Sequence, residues 1–166
     1  MNLKLIQNSY QDILKSKTHH EKILFLLLLP FFCFAQNDIN DFWKNDLWQI
    51  NKVVNHELDL FELSNPPAER LHISSDGTKY IYGNSLTFNT NGTFLSKYSA
   101  WCGNDCFTRS EGTFEKIDET HLRLQINLFQ RSGDCEGVED KTVRDLGTFE
   151  IKPTENGYQL VKLKDE

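Results

Sequence analysis

Apolar and polar residues alternate without a break from Leu122 to Leu128. Leu122, Leu124, Ile126 and Leu128 fall on one side, and Arg123, Gln125 and Asn127 on the other. A period of two predicts a strand with one dry and one wet face. Across the polar turn Asp118-Glu119-Thr120-His121, the run Thr113-Phe114-Glu115-Lys116-Ile117 predicts its hairpin partner. The same pattern recurs on both sides. Leu86-Thr87-Phe88 and Thr93-Phe94-Leu95 flank Asn89-Thr90-Asn91-Gly92, and Phe149-Glu150-Ile151 and Tyr158–Leu163 flank Pro153–Gly157. Earlier in the chain, Leu47–Val54 reads as a first strand with Trp48, Ile50 and Val54 inward. Arg70–Ser74 reads as a short strand before the turn Ser75-Asp76-Gly77. Residues 55–69 are irregular, since Ser64-Asn65-Pro66-Pro67 cannot enter a sheet interior. Asp38 is placed to cap a short helix running through Trp43, with Asp41 in its first turn. The tripeptide Gly-Thr-Phe occurs at 92–94, 112–114 and 147–149, and each copy is expected to open a strand.

One stretch breaks this pattern. Ile23 to Ala35 is a block of thirteen apolar residues, preceded by Lys22 and followed by the polar Gln36-Asn37-Asp38. A basic flank, an apolar core and a small-residue exit form a secretory signal. The block is too short to span a bilayer, which takes about 20 apolar residues. Acylation at Cys33 needs small residues before it; Phe31 and Phe32 are bulky, so no lipid anchor is expected. Residues 1–21 are long for a basic leader; either the leader is unusually long or the start is placed too far upstream, and the second is the expectation. The expected organisation is a leader over 1–35 and a single β domain over 36–166, working in the periplasm or outside the cell.

Removing the leader sharpens the charge. The full chain carries a net −6; residues 1–35 take away four basic and two acidic residues, leaving −8. Such a chain repels phosphate backbones, so nucleic acid and anionic membranes are excluded as partners. Three tryptophans, four tyrosines and eight phenylalanines remain after residue 35. Aromatics favour strands and bury large areas.

About eight short antiparallel strands joined by hairpins make an up-and-down meander, and closure into a barrel leaves no free edge. The stretch Leu86–Leu128 combines a strand, an Asn-Gly turn, Gly-Thr-Phe, a polar turn and an alternating leucine strand, and Leu47-Trp48 stands at the head of the domain. This pattern resembles the small secreted lipocalin-like domain proteins of bacteria, over residues 46–164. The resemblance implies an all-β, lipocalin-like barrel and a small apolar ligand. Trp48, Phe88, Phe94, Tyr98, Phe114 and Phe149 would line or fill its interior.

Three cysteines follow the leader: Cys102, Cys106 and Cys135. In an exporting compartment thiols pair. The hairpin centred near Glu119 brings Cys135 to the same end of the sheet as the other two, and register alone leaves the pairing open. One disulfide is expected. A zinc site of three thiolates with His72 is the weaker reading, because Cys-x3-Cys is looser than the Cys-x2-Cys of structural zinc. No metal and no cofactor are expected.

Catalytic motifs are sparse. Gly133-Asp134-Cys135-Glu136-Gly137 resembles the nucleophile loop of chymotrypsin-like cysteine proteases, but a double-barrel protease needs a longer chain. There is no Walker loop, dinucleotide fingerprint or His-Glu-x-x-His. No catalysis is expected. The first functional expectation is a secreted, monomeric binding protein for a small apolar ligand. The second is a solid-cored interaction or inhibitor protein that meets a basic protein partner through its acidic surface and the Cys102–Cys106 loop, with Trp101, Asn104, Asp105 and Phe107 at the contact.

Overall fold

The computed structural model describes residues 38–164. The expected leader over 1–35, and the start within it, lie outside those residues.

The predicted alternation becomes strand. β1 (Leu47–Ile50) and β2 (Leu60–Ser64) form the first hairpin. A crossing segment follows, with a 3-10 turn at Ala68–Arg70 and a small separate hairpin of β3 (His72–Ile73) and β4 (Lys79–Tyr80). Next come β5 (Gly83–Phe88), β6 (Thr93–Ser99), β7 (Cys106–Lys116), β8 (His121–Gly133), β9 (Val138–Asp140), β10 (Arg144–Thr154) and β11 (Gly157–Lys162). Every pairing is antiparallel. The ring runs β1, β5, β6, β7, β8, β10, β11, β2 and back to β1, a closed eight-stranded barrel. β8 holds β10 along its first half and β9 along its second, so β9 and β10 act as two pieces of one wall.

Strands β5 to β11 follow the expected up-and-down order. The first hairpin is turned about: β1 borders β5, and β2 borders β11. The chain must therefore carry residues 65–82 back across the outside of β1 and β5. Outward positions beneath this strap are buried. Leu47 and Ser85 alternate with the inward Trp48 and Leu86, yet both are covered, and Ile81 of the strap is buried as well. Lys79 Nζ lies 3.8 Å from Asp46, and Ser99 Oγ donates to the Ile81 carbonyl at 2.8 Å, which pins the strap at two points.

The interior is filled by its own side chains. Trp48, Phe61, Phe94, Leu86, Leu122, Leu124, Ile126, Phe149, Ile151 and Leu160 are each 2% exposed or less and form one cluster. At about 25 cal/mol per Å² of apolar surface, this burial is the main force holding the barrel closed. Both mouths are covered. At one, Asp38 caps helix α1 (Ile39–Phe42) by accepting the Asn40 N–H at 2.9 Å, as expected. Phe42 then stacks on Trp48 with ring centres 5.3 Å apart, while Trp43 Nε1 donates to the Glu119 carbonyl and Tyr158 Oη to that of Asp38. At the other mouth, the loop after β1 dips inward. Val54 is fully buried, its N–H donates to Ser96 Oγ at 3.0 Å, and that hydroxyl donates to the Ser85 carbonyl.

Four expectations need correction. Residues 60–64, expected within an irregular stretch, form β2, which ends just before Asn65-Pro66-Pro67. The dry face of β8 ends at Ile126. Gly112 faces Ile126 and Glu111 faces Leu128, so Asn127 is an extra residue. The bulge turns Leu128 outward beside Asn127 and sends Phe129 against the core. Gly92-Thr93-Phe94 does open β6, but the other two Gly-Thr-Phe copies lie inside β7 and β10, at register shifts. Gly147 there takes a φ of +85°, and at Gly112 a Cβ would collide with the Gln125 carbonyl and the Phe94 ring. The first strand stops at Ile50 rather than Val54, because the chain bends there to cover the mouth.

Candidate functional site

The end of the barrel opposite α1 carries the exposed chemistry. β5 begins there, β6 ends there and β7 begins there, so residues before 83 and after 99 meet at one rim. The strap delivers Tyr80 and Tyr82 to it, and β3 sets His72 directly opposite Tyr80. The His72 ring lies 5.2 Å from Tyr80 and 4.9 Å from Tyr82, and the two tyrosines are 5.8 Å apart. Trp101, just past β6, meets Tyr82 edge-on at 5.7 Å and 76°. Four aromatic rings thus form one continuous patch. Its outermost member is the most solvent-exposed large hydrophobic described, since Trp101 is 84% exposed, and Ile73 beside His72 is 67% exposed. Burial, followed by the neighbouring Tyr80, raises the Tyr82 hydroxyl above its ordinary pKa.

The loop from Ala100 to Asp105 is tied at its far end. Cys106 and Cys135 form a disulfide with Cα atoms 5.3 Å apart, closing a loop of 29 residues. Chain entropy assigns a bridge of that span about 3–4 kcal/mol. Cys102 is exposed and unbridged. The zinc reading loses its ligands this way, since two of its thiols bind each other and His72 packs against tyrosines. Asp105 serves the loop itself. Its carboxylate accepts the Tyr98 hydroxyl at 2.6 Å and the Cys106 N–H at 2.8 Å, and its carbonyl accepts the Asp134 N–H. The Tyr98 bond, followed by the Cys106 amide, holds the Asp105 carboxyl below its ordinary pKa and raises that of Tyr98.

The expected residues therefore separate into groups. Trp48, Phe94 and Phe149 are core. Phe88 and Phe114 are half-buried against Trp43 under the helix, with ring centres 4.9 Å apart. Tyr98, near the end of β6, ties its hydroxyl to Asp105 of the rim loop. Of the interaction-loop residues, Trp101 and Asn104 face solvent, while Asp105 is spent on the loop and Phe107 is half-buried near Tyr98. Sequence reasoning named His72 only as a zinc ligand and missed Tyr80 and Tyr82. The signal was present in Tyr80-Ile81-Tyr82, whose alternation puts two tyrosines on one face and an apolar residue on the other.

Elsewhere the outer face has shallow polar grooves. One of about 460 Å³ is lined by Gln49, Asn51, Glu62, Ser64, Asn156 and Gln159 together with Ile50, Leu63 and Tyr158. No protein-family model, curated protein or solved structure matches this chain.

Proposed function

We propose that this is a solid-cored, exported binding protein that meets a basic protein partner through the rim formed by His72, Tyr80, Tyr82 and Trp101. The single observation that carries the reading is Trp101: a tryptophan 84% exposed, seated on a tyrosine and continuous with two further rings. Exposed tryptophan and tyrosine are the side chains that dominate binding energy at protein interfaces. The net charge of −6 favours a partner of opposite sign. The Cys106–Cys135 bridge supports a life in an oxidising compartment. A carrier of small apolar molecules would need an empty interior, and Trp48, Phe94 and Phe149 occupy that space.

The test is capture from the exported fraction of the native host by the immobilised protein, alongside Trp101→Ala. The expected result is a basic protein retained by the wild type, released by salt, and held about 30-fold or more weakly by the variant, as befits loss of an interface tryptophan. Equal capture by Trp101→Ala overturns the reading. So does an apolar small molecule co-purifying in native mass spectrometry, which would restore the ligand-carrier alternative.

A further inference from the structure

We propose that the inner wall at the disulfide-bearing mouth holds a site for a small oxyanion, built on Arg131 with the hydroxyls of Ser110 and Thr108. The inward faces of the strands change character along the barrel. Toward α1 they are apolar, with Phe94, Leu124 and Ile126. Toward the other mouth they turn polar. Ser96 faces Ser110 across β6 and β7, Ser110 faces Phe129, and one inward step further Thr108 faces Arg131. The bulge at Asn127 produces this placement. It returns Phe129 to the inner face, and alternation then puts Arg131 on the same face.

Two polar groups there lack partners. Ser110 is fully buried, and its Oγ has no hydrogen-bond partner among the described residues. The Nε of Arg131 is buried and likewise unpartnered. Ser110 and Arg131 stand diagonally on adjacent strands, a relation that sets backbones about 7–8 Å apart, within reach of an arginine side chain. The carboxylates nearest in register are engaged. Asp140, opposite Phe129, accepts from Arg144 and from the Thr142 N–H, and Glu139 is bound by Gln130 and Lys141. The loop covering this mouth is anchored on Ser96 of β6, two strands from Arg131. A buried guanidinium N–H without an acceptor is costly. A planar fork of donors, one diagonal step from Ser110 and opposite Thr108 in register, matches a carboxylate or a phosphate group. This site uses none of the aromatic rim's residues and does not depend on the rim's partner.

The experiment follows the arginine Nε–H resonances of the ¹⁵N-labelled protein by NMR. Inorganic phosphate and acetate are titrated separately at constant ionic strength, with chloride as the control. The Arg131 resonance is assigned by its loss in Arg131→Lys. The expected result is a saturable shift of that resonance with phosphate, acetate or both; phosphate alone indicates a phosphate-bearing ligand, and acetate a carboxylate. Saturable thermal stabilisation by the same anion should weaken about tenfold to a hundredfold in Arg131→Met, the loss of one charge-assisted hydrogen bond. Arg131→Lys, which keeps the charge, serves if the methionine variant does not fold. The proposal is overturned if neither anion moves the Arg131 resonance beyond the chloride control, or if the variants are stabilised as strongly as the wild type.

Discussion

Gly112 shows how much one residue decides in this barrel. It sits where β7 and β8 shift register, under the Phe94 ring and against the Gln125 backbone, and neither neighbour can yield easily. Gly112→Ala should cost about 2–3 kcal/mol or more through overpacking. Gly103→Ala, in open space on the rim loop, should stay within about 0.5 kcal/mol. Urea denaturation of the two variants reads both. The sequence marked Gly112 as one of three repeated glycines but could not say that it belonged to a bulge. A bulge is a mismatch in length between two paired strands, and neither strand alone contains it. Leu128 was misplaced for the same reason, since strict alternation hides one inserted residue. The pairing of the three cysteines was illegible for a related one: register brought both Cys102 and Cys106 close to Cys135, and the extra residue in β8, which sets Cys106 opposite Gly133, was not foreseen.

At the scale of the element, turns hold the hairpins in register. Asp118 governs the β7–β8 turn, where its carboxylate accepts the Thr120 N–H at 2.7 Å, the Thr120 hydroxyl and the His121 ring. The Thr120 amide, followed by His121, lowers its pKa to about 2 from an ordinary 3.8. A depressed carboxyl contributes stability that is complete above its unfolded pKa and is lost as pH falls toward the folded one. Asp118→Asn should therefore lower stability at pH 6, where the carboxylate contributes in full, and flatten the fall between about pH 4 and pH 2, so that variant and wild type converge at low pH. Chemical denaturation midpoints across that range measure the slope. Such hairpins were readable because their signals are local: alternation, then Asn-Gly or an acidic turn. The strap was not readable as a strap. Nothing in residues 65–82 states that β1 will lie beside β5, and so nothing foretold that Tyr80 and Tyr82 would be carried to meet Trp101.

At the scale of the molecule, the ring closes through its ends in sequence. β2 pairs with β11, so Phe61 faces Leu160 and Leu63 faces Tyr158. Deleting residues 157–166 should leave β2 and β10 as bare edges on a still apolar interior, and such edges recruit other chains. Size-exclusion chromatography should then find aggregates in place of a compact species; a stable monomer would show that β11 is dispensable. The closed antiparallel barrel itself was legible from the number of alternating segments; whether the aromatics would line or fill it was not, because that depends on how their side chains meet across the ring. The turned first hairpin also imposes a timetable. A chain emerging N-terminus first, from a ribosome or through an export channel, cannot seal its core until the last strand has appeared. Until then β2 waits, about a hundred residues ahead of its partner. The nascent chain thus remains threadable for nearly its whole length, and its folding rate should be set by that final long-range encounter rather than by any hairpin.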